Sequence, residues 1–383
     1  MMNKNSNICN KCVLDNSMLR TNLNFDKNHI CQNCRNYEEL AKKTILRPKN
    51  EKNKVLEQKI AEIKKWGKGR KYDCLLGLSG GADSSYLALI VKKYGLRPLV
   101  VHFDNGWNSE LAVSNIHNIV TKLGFDLQTY VIEWEEYKDI QRAYIKSSVI
   151  DIEVPCDHFV YATIQMIAHK YKIKYVLDGN NIASEYWGGS WRWTFNKSDL
   201  VNLVNIHKKF GEHRLNKYPK LGFFQRYYYQ NFDGIKTVYL LNYVPYVKKA
   251  AIKLLKDKLG WVDYGGKHYE SIFTRFYQGY ILPKKFGVDK RRVHYSNLIW
   301  SGQLSREDAI KELKKPTYPV DIQKSDKEYV LKKLDFSEDE FDRLMKQPEI
   351  PHEFYGTESD NKMWYWLFTV FMAPVIRIVK LFR

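Results

Sequence analysis

From residue 71 onward, short apolar runs alternate with longer segments that have helical spacing. The apolar runs predict strands at 74–78, 97–103, 127–132 and 174–177. The segments between them predict helices at 84–94, 110–123 and 158–171. Strands that alternate with helices form parallel sheets with crossover helices, so the pattern predicts an α/β fold with a doubly wound parallel sheet. Ligands of such sheets bind at the carboxyl ends of the strands.

The pattern changes on both sides of this region and once within it. Residues 37–70 are highly charged and have helical apolar spacing, so a linking helix is predicted there. Residues 186–270 are rich in aromatic side chains without clear periodicity, and we interpret them as an insertion that builds or covers a pocket. A main domain over 71–315 is therefore predicted. The lysine-rich residues 316–383 are expected to form a helical C-terminal region with an amphipathic tail.

Four of the six cysteines form two Cys-x2-Cys pairs, Cys9 with Cys12 and Cys31 with Cys34. Two such pairs can present four thiolates tetrahedrally, so residues 1–36 predict a small zinc ribbon. Unpaired cysteines or an iron centre are the alternatives. Because a site closed by four thiolates has no open position, we expect the zinc to be structural.

A Gly/Ser turn, LSGGADSS at 78–85, lies between the first predicted strand and the first predicted helix. A helix N-terminus favours bound anions, and Gly80 and Gly81 let the backbone approach a phosphate closely. Ser79, Ser84 and Ser85 add hydroxyl donors. The turn is not a Walker loop, because no G-x-x-x-x-G-K-[ST] occurs here. The alternative is a polar turn that only caps the helix.

Two further strand ends carry polar turns. Asp104 follows the second strand and either caps the next helix or borders a bound nucleoside. The fourth strand ends in DGNNIASE at 178–185. Glu185 closes this turn and either reaches a Mg²⁺ on a bound triphosphate or is merely favoured by a helix dipole.

A basic run at 284–292 and three tryptophans supply further candidates. Lys290 and Arg291 are our choices for stabilising negative charge on a triphosphate, although such a run is usually a solvated face. Trp187, Trp191 and Trp193 either stack on a sugar or base, or form the core of the insertion.

The segment VPCDH at 154–158 places a cysteine beside an acid and a histidine. Cys156 near a His can act as a nucleophile. Asp157 and His158 either help to move protons or merely start the next helix.

These motifs resemble those of known enzymes. LSGGADSS resembles the PP-loop of the ATP pyrophosphatases, which cleave ATP between its α and β phosphates. The turn at 178–185 resembles the G-x-x-N-x-x-E turn of the amide-forming PP-loop enzymes related to NAD synthetase. Together with DGNNIASEYWGG, RFYQGYILPKKFGVDKRRVHYSNLI and the N-terminal cysteines, they make most of the chain resemble the N-acetyl sugar amidotransferases of the WbpG/PseA type.

The resemblance implies an α/β fold of the PP-loop type. It also implies ATP-dependent conversion of an acetamido group on a nucleotide-linked N-acetyl sugar into an acetamidino group, for O-antigen, capsule or flagellin glycans. An adenylylated imidate forms first, and ammonia then displaces AMP. The implied Mg²⁺ ligands are Asp83 and Glu185, and the catalytic candidates are Asp83, Glu185, Lys290 and Arg291. The candidate ATP-binding residues are Leu78, Ser79, Gly80, Gly81, Ser84, Ser85, Asp104 and Gly179. The candidate substrate-binding residues are Asn180, Asn181, Trp187, Trp191 and His158.

The sequence shows no evident glutaminase motif, so ammonia is expected from outside. The resemblance implies a separate glutaminase subunit and a cyclase-like barrel protein as partners. A tRNA thiolation enzyme is the rival hypothesis, but such enzymes generally use two active-site cysteines and this region has only Cys156. A third hypothesis is a zinc-ribbon nucleic-acid-binding protein. We expect nucleic acid not to be the partner.

The net charge of +19 predicts anionic partners, which include nucleotides, nucleic acid and anionic membrane surfaces. Because the N-terminal residues are polar, no export signal and a cytoplasmic location are expected. Residues 363–376 are uncharged, and basic residues follow them. An interfacial helix at the inner face of the membrane, a buried terminal helix and a partner interface all fit this segment.

Overall fold

The computed structural model describes residues 8–18, 23–186, 188–189, 191–266, 269–363, 366–368 and 370–371. The strands are β1 (Cys74–Gly77), β2 (Pro98–Asp104), β3 (Asp126–Val131), β4 (Tyr175–Leu177) and β5 (Lys236–Val238). The first helices are α1 (Gln32–Lys43), α2 (Lys49–Gly67), α3 (Ala82–Lys93), α4 (Glu110–Leu123), α5 (Trp134–Lys146), α6 (Val154–Lys170), α7 (Leu200–Phe210) and α8 (Phe223–Asn231). The later helices are α9 (Lys248–Leu259), α10 (Ile272–Phe276), α11 (Leu282–Phe286), α12 (Arg291–Trp300), α13 (Arg306–Leu313), α14 (Val320–Lys333) and α15 (Glu338–Lys346). A π-helical turn at Tyr277–Ile281 joins α10 to α11.

The strands form one parallel sheet in the order β3-β2-β1-β4-β5. The chain moves outward from β1 in one direction and then returns to its other side, so the predicted doubly wound α/β fold is confirmed. β1 is central, and its first three residues are fully buried. The carboxyl ends of β1 and β4 are therefore neighbours, at the position where such sheets bind ligands.

Two parts of the predicted organisation differ in the structure. β5 lies within 186–270, so this segment returns to the sheet, and α9 packs on α3. Two of the three β5 residues are exposed, which leaves no apolar run to signal a strand. The predicted linking helix is two helices, α1 and α2, and Pro48 directly precedes the second.

The cysteine-rich N-terminal segment shares a hydrophobic core with the C-terminal helices. The cluster that contains the four ribbon cysteines also contains Phe273, Val293 and Phe341. The Arg306 guanidinium donates to the carbonyl oxygens of Cys9 and Cys12 at 3.0 to 3.3 Å. The N-terminal segment is therefore fixed to the C-terminal region.

The predicted apolar segment 363–376 lies largely outside the described residues. Of its described part, Phe368 packs against the aromatic rings of Phe223 and Phe224 on α8. Trp366 and Phe371 are 63% and 69% exposed. In the described part of the chain, no helix combines the length and the apolar character needed to cross a bilayer.

Candidate active site

The Gly/Ser turn after β1 is fixed by hydrogen bonds from side chains in distant parts of the chain. Gly80 has a φ of +81°, which favours glycine, and an added Cβ would lie 2.9 Å from the carbonyl oxygen of Ala112. The Trp261 indole and the Tyr264 hydroxyl donate to the carbonyl oxygen of Gly80 at 2.8 and 2.6 Å. The aromatic segment 261–264 therefore fixes the turn that precedes α3.

The serines of the turn divide into two groups. The Oγ atoms of Ser79 and Ser84 lie 3.1 Å apart, and the N–H of Gly81 donates to Ser79 Oγ at 3.2 Å. Both side chains line a cavity above the strand ends. Ser85 is fully buried, and its hydroxyl donates to the carbonyl oxygen of Gly80 at 3.3 Å. Ser79 and Ser84 are thus placed to meet a ligand, whereas Ser85 stabilises the turn.

Leu78 is buried and contributes through its backbone. Its carbonyl oxygen accepts from His102 Nδ1 at 3.2 Å, and Asn108 Nδ2 donates to His102 Nε2 at 3.3 Å. Burial lowers the pKa of His102, which keeps the ring neutral and able to accept the second bond. Leu78, His102 and Asn108 all line the cavity.

The turn after β4 contacts the Gly/Ser turn at 78–85, which we call the phosphate turn after its predicted ligand. A Cβ on Gly179 would lie 2.9 Å from the backbone nitrogen of Ser84, so only glycine allows this approach. The N–H of Asn180 donates to Asp178 Oδ1 at 2.8 Å. Burial raises the pKa of Asp178, and the nearby Glu185 raises it further. Sequence reasoning passed over Asp178, although it opens the turn that contains the candidate residues.

Asp83 is oriented by hydrogen bonds to one of its two carboxylate oxygens. Oδ1 accepts from the Tyr246 hydroxyl, from Ser184 Oγ at 3.3 Å and from Asn181 Nδ2 at 3.4 Å. Asn181 is buried and supports Asp83, whereas the structure places Asn180 and Glu185 in the cavity wall. Two carboxylates, Asp83 and Glu185, thus face the cavity beside the phosphate turn, and such hard oxygen ligands suit Mg²⁺.

The cavity has a volume of about 980 Å³, and its second wall comes from the C-terminal region. This volume is near the upper end of the range for small-molecule sites. The π-helical turn contributes Gln278 and Gly279 to the wall, and such turns often occur at functional sites. Further residues of this wall are Tyr269, Arg275, Lys290, Arg291, Val293, Tyr295, Asn297 and Tyr318.

Lys290 and Arg291 both line this wall, but the structure gives them different surroundings. The Arg291 guanidinium donates to Asp289 at 2.8 Å and to the carbonyl oxygens of Lys315 and Pro316 at 3.0 Å. It therefore holds the 315–316 segment at the cavity edge. The charge of Lys290 acts on the buried carboxyl of Glu153, where it opposes the rise in pKa that burial causes.

The remaining predicted substrate residues lie away from the cavity or outside the described chain. His158 is fully buried, and its two ring nitrogens bond the backbone of Lys197 and Leu221. Trp191 is core and stacks on Trp193, with ring centroids 5.4 Å apart, and Trp193 lines the cavity. Trp187 lies outside the described residues. The expected roles of His158 and Trp191 in substrate contact are therefore corrected to structural ones.

Asp104 stabilises the turn at the end of β2. Its Oδ1 accepts from the N–H of Gly106 at 2.9 Å, while its neighbours Phe103 and Asn105 line the cavity. The Asp104 carboxylate therefore stabilises the turn itself, and the adjacent Phe103 and Asn105 form part of the cavity wall.

Cys156 and Asp157 line the cavity at the start of α6. Burial raises the pKa of the Cys156 thiol to about 12, and nearby carboxylates contribute to the shift. The thiol is therefore protonated at neutral pH, whereas nucleophilic cysteines react as thiolates. Asn105 Nδ2 donates to Cys156 Sγ at 3.1 Å.

The four ribbon cysteines form a compact, fully buried cluster. Their Sγ atoms lie within 4.8 Å of one another, and three of the Sγ–Sγ distances are 3.5 to 3.8 Å. Tetrahedral zinc with Zn–S bonds of about 2.3 Å would place its sulfur ligands ~3.8 Å apart, so the cluster fits this ion. The N–H of Cys31 donates to Cys9 Sγ at 3.2 Å, and Trp300 Nε1 donates to Cys34 Sγ at 3.0 Å. Such N–H donors are typical second partners of metal-bound sulfur.

Comparisons with known proteins match different parts of the chain. Residues 270–370 match the family model described as LPS biosynthesis protein WbpG-like, C-terminal domain. An uncharacterised protein of Methanocaldococcus jannaschii is 26% identical over 328 residues, which is 82% of this chain and 95% of that protein.

Solved structures also show similarity, each with a TM-score of 0.28. NMN synthetase from Francisella tularensis is 15% identical and covers 54% of this chain and 93% of its own. The NH3-dependent NAD synthetase from Campylobacter jejuni is 16% identical and covers 55% of this chain and 93% of its own. A predicted tRNA methyltransferase subunit from Methanocaldococcus jannaschii is 18% identical and covers 48% of this chain and 75% of its own.

The family match falls on the region that forms the second wall of the cavity. It includes the motif RFYQGYILPKKFGVDKRRVHYSNLI at 275–299, which carried part of the predicted resemblance. The resemblance of the chain to the WbpG family is therefore confirmed, through its C-terminal region at residues 270–370.

Proposed function

We propose that the protein is an ATP-dependent amidotransferase that converts an acetamido group of a nucleotide-activated sugar into an acetamidino group. The observation that carries this proposal is one cavity with two walls. The phosphate turn and its carboxylates form the first wall, and the WbpG-like region forms the second. This combination supports an ATP-using enzyme of the family, and the cavity of about 980 Å³ has room for more than one ligand.

The proposed reaction has two steps. The acetamido oxygen attacks the α-phosphorus of ATP, and pyrophosphate leaves. The amide nitrogen gives its proton to solvent, and a neutral adenylylated imidate results. Ammonia then adds to the imidate carbon and displaces AMP, which leaves an amidine. Ser79, Ser84 and the backbone N–H groups at the start of α3 would bind phosphate oxygens.

Negative charge on bound phosphates needs cations, which both walls of the cavity would supply. Asp83 and Glu185 would hold Mg²⁺, which would neutralise charge on the phosphate oxygens. Lys290 would add a fixed positive charge from the opposite wall. The ribbon cysteines would hold a structural zinc ion.

The proposed reaction requires a source of ammonia and a pathway that uses the product. We propose that a separate glutaminase subunit with a cyclase-like protein supplies the ammonia, and that the product enters surface polysaccharide or flagellin glycan synthesis. The exposed Trp366 and Phe371 support a peripheral membrane contact through the C-terminal segment.

The test combines ATP, Mg²⁺, an ammonium salt and a panel of nucleotide-linked diacetamido sugars. The expected result is sugar-dependent formation of AMP and pyrophosphate, together with a product in which mass spectrometry finds NH in place of O. Glu185→Gln should lose about 10–100-fold in activity if Glu185 holds the metal, whereas Glu57→Gln on the exposed side of α2 should match the wild type. Full activity of Glu185→Gln would refute the metal assignment.

The rival, tRNA thiolation, requires a reactive thiolate. Cys156 is the cysteine that lines the described cavity, and its raised pKa keeps it protonated at neutral pH. AMP release that depends on tRNA and not on any sugar would overturn the amidotransferase proposal.

A further inference from the structure

One face of α6 runs along the cavity from the phosphate turn outward. Asp157, Val160 and Ile164 lie three and then four residues apart, and all three line the cavity. Ile164 Cδ1 lies 3.6 Å from the position that a Cβ on Gly77 would take, at the end of β1. Seven helical residues rise about 10.5 Å, so Asp157 lies about two helical turns further along the cavity than Ile164.

The Asp157 carboxylate is half-exposed to the cavity but fixed in place. Its Oδ2 lies 3.0 Å from Lys197 Nζ, and the side chain is 49% exposed. Lys197 is in turn held by both oxygens of the buried Asp151, at 2.6 and 2.7 Å. Asp151, Asp157 and Glu153 raise the pKa of Lys197, so the lysine stays charged beside the Asp157 carboxylate.

Two further polar side chains, those of Gln278 and Trp193, line the cavity and could bind ammonia or ammonium. Gln278 Nε2 donates to Glu153 at 2.9 Å, and the Gln278 side chain lines the cavity. Trp193 is 3% exposed and lines the cavity, and its indole N–H has no partner among the residues that the structure describes. The charged groups that surround Asp157 are Asp151, Glu153, Lys197 and Lys290.

We infer that Asp157 binds the ammonium ion and accepts a proton from it as the amidine forms. This inference rests on the proposed function, and it assigns a catalytic residue for the second step only. His158, the neighbouring candidate, cannot share this role because both of its ring nitrogens are bonded to backbone groups away from the cavity.

Amination of the imidate needs two proton transfers and the loss of AMP. Ammonium gives one proton to the Asp157 carboxylate, and the freed electron pair on nitrogen forms a bond to the imidate carbon. A second proton moves from the entering nitrogen to the imidate nitrogen. The bond from carbon to the adenylate oxygen breaks, and its electron pair leaves on AMP. Two protons remain on the new nitrogen, and the product is an amidinium ion.

The experiment separates the two steps in one set of variants. Exchange of labelled pyrophosphate into ATP, in the presence of the sugar, reports imidate formation. Product formation with ammonium or with hydroxylamine reports amination, and hydroxylamine is largely unprotonated at neutral pH. The variants are Asp157→Asn, the carboxylate-retaining Asp157→Glu, and Asp257→Asn on the exposed face of α9 as the matched control.

Asp157→Asn should keep wild-type pyrophosphate exchange and lose about 100-fold in ammonium-dependent turnover. Its turnover with hydroxylamine should fall much less, Asp157→Glu should recover part of the ammonium activity, and Asp257→Asn should match the wild type. Equal loss with both nucleophiles, loss of exchange, or full ammonium activity in Asp157→Asn would overturn the inference. Absence of sugar-dependent exchange in the wild type would instead refute the proposed function itself.

Discussion

Acidification should destabilise this protein through one buried imidazole, His158 on α6. The ring is fully buried, with Nδ1 2.9 Å from the carbonyl oxygen of Lys197, and Nε2 accepts from the N–H of Leu221 at 3.2 Å. Nδ1 must carry the proton because a carbonyl only accepts, and Nε2 must lack one because an amide only donates. Protonation of Nε2 would therefore place its N–H opposite the N–H of Leu221, and the hydrogen bond between them would be lost. Burial, with a smaller effect of Arg226, lowers the pKa of His158 from 6.5 to about 4.

The sign and size of the effect follow from this difference. Between pH 6.5 and about 4 the unfolded chain binds more protons than the folded protein at this residue, so the free energy of unfolding falls as the pH falls. The stabilisation is fully present above pH 6.5. The full difference corresponds to about 3 kcal/mol, of which about 2 kcal/mol is lost by about pH 5.

Urea denaturation at about pH 7 and about pH 5 measures this loss. His158→Asn removes the titrating group, so the variant should be less stable at pH 7 but lose about 2 kcal/mol less than the wild type on acidification. His117→Asn, on the exposed face of α4, should show the same pH-dependent loss as the wild type. Equal losses in the wild type and His158→Asn would refute the assignment of a neutral, buried ring.

Three further predictions test the phosphate turn, the four-cysteine cluster and the cavity thiol. Gly179→Ala should weaken ATP binding about tenfold in equilibrium dialysis, because the new methyl group would lie 2.9 Å from backbone nitrogen, whereas Gly222→Ala meets its nearest atom at 3.4 Å and should bind normally. Trp300→Phe should weaken zinc binding about tenfold in competition with a chelator, since its indole donates to Cys34, and unchanged affinity would contradict this. Cys156 should resist alkylation in the folded protein near pH 8 and react once urea unfolds the chain, because its pKa is about 12. Alkylation of the folded protein at the rate of a free thiol would show that reasoning to be wrong.

The sheet could be predicted wherever a strand is an apolar run. β1 and β4 lie in the centre of the sheet and are apolar along their length, so the alternation with helices identified both. α4 was predicted with both of its ends, which Ser109 and Gly124 mark as caps. β5 was not predicted, because it is a short edge strand whose exposed residues give no periodic pattern.

The candidate site could be predicted only where it is local in sequence. The phosphate turn carries its own pattern, but the Tyr264 hydroxyl reaches Gly80 across 184 residues, and no local pattern encodes such a contact. The aromatic character of 186–270 did indicate a pocket wall, without saying which rings form it. The neighbours Asp157 and His158 show the same limit, because the sequence could not tell which of the two side chains faces the cavity. Successive helical side chains point about 100° apart, so tertiary packing decided that Asp157 faces the cavity and His158 the core.

The four-cysteine cluster and the cavity are connected through α12, although none of these cysteines lines the cavity. Val293 and Asn297 on α12 line the cavity, while Trp300 at the end of the same helix donates to Cys34 Sγ. A rigid helix that is fixed at one end by the cysteine cluster holds the side chains along its length in place. A four-cysteine cluster without catalytic chemistry can thus position the second wall of the cavity. The phosphate turn is held by different side chains, because Trp261 and Tyr264 donate to the carbonyl oxygen of Gly80.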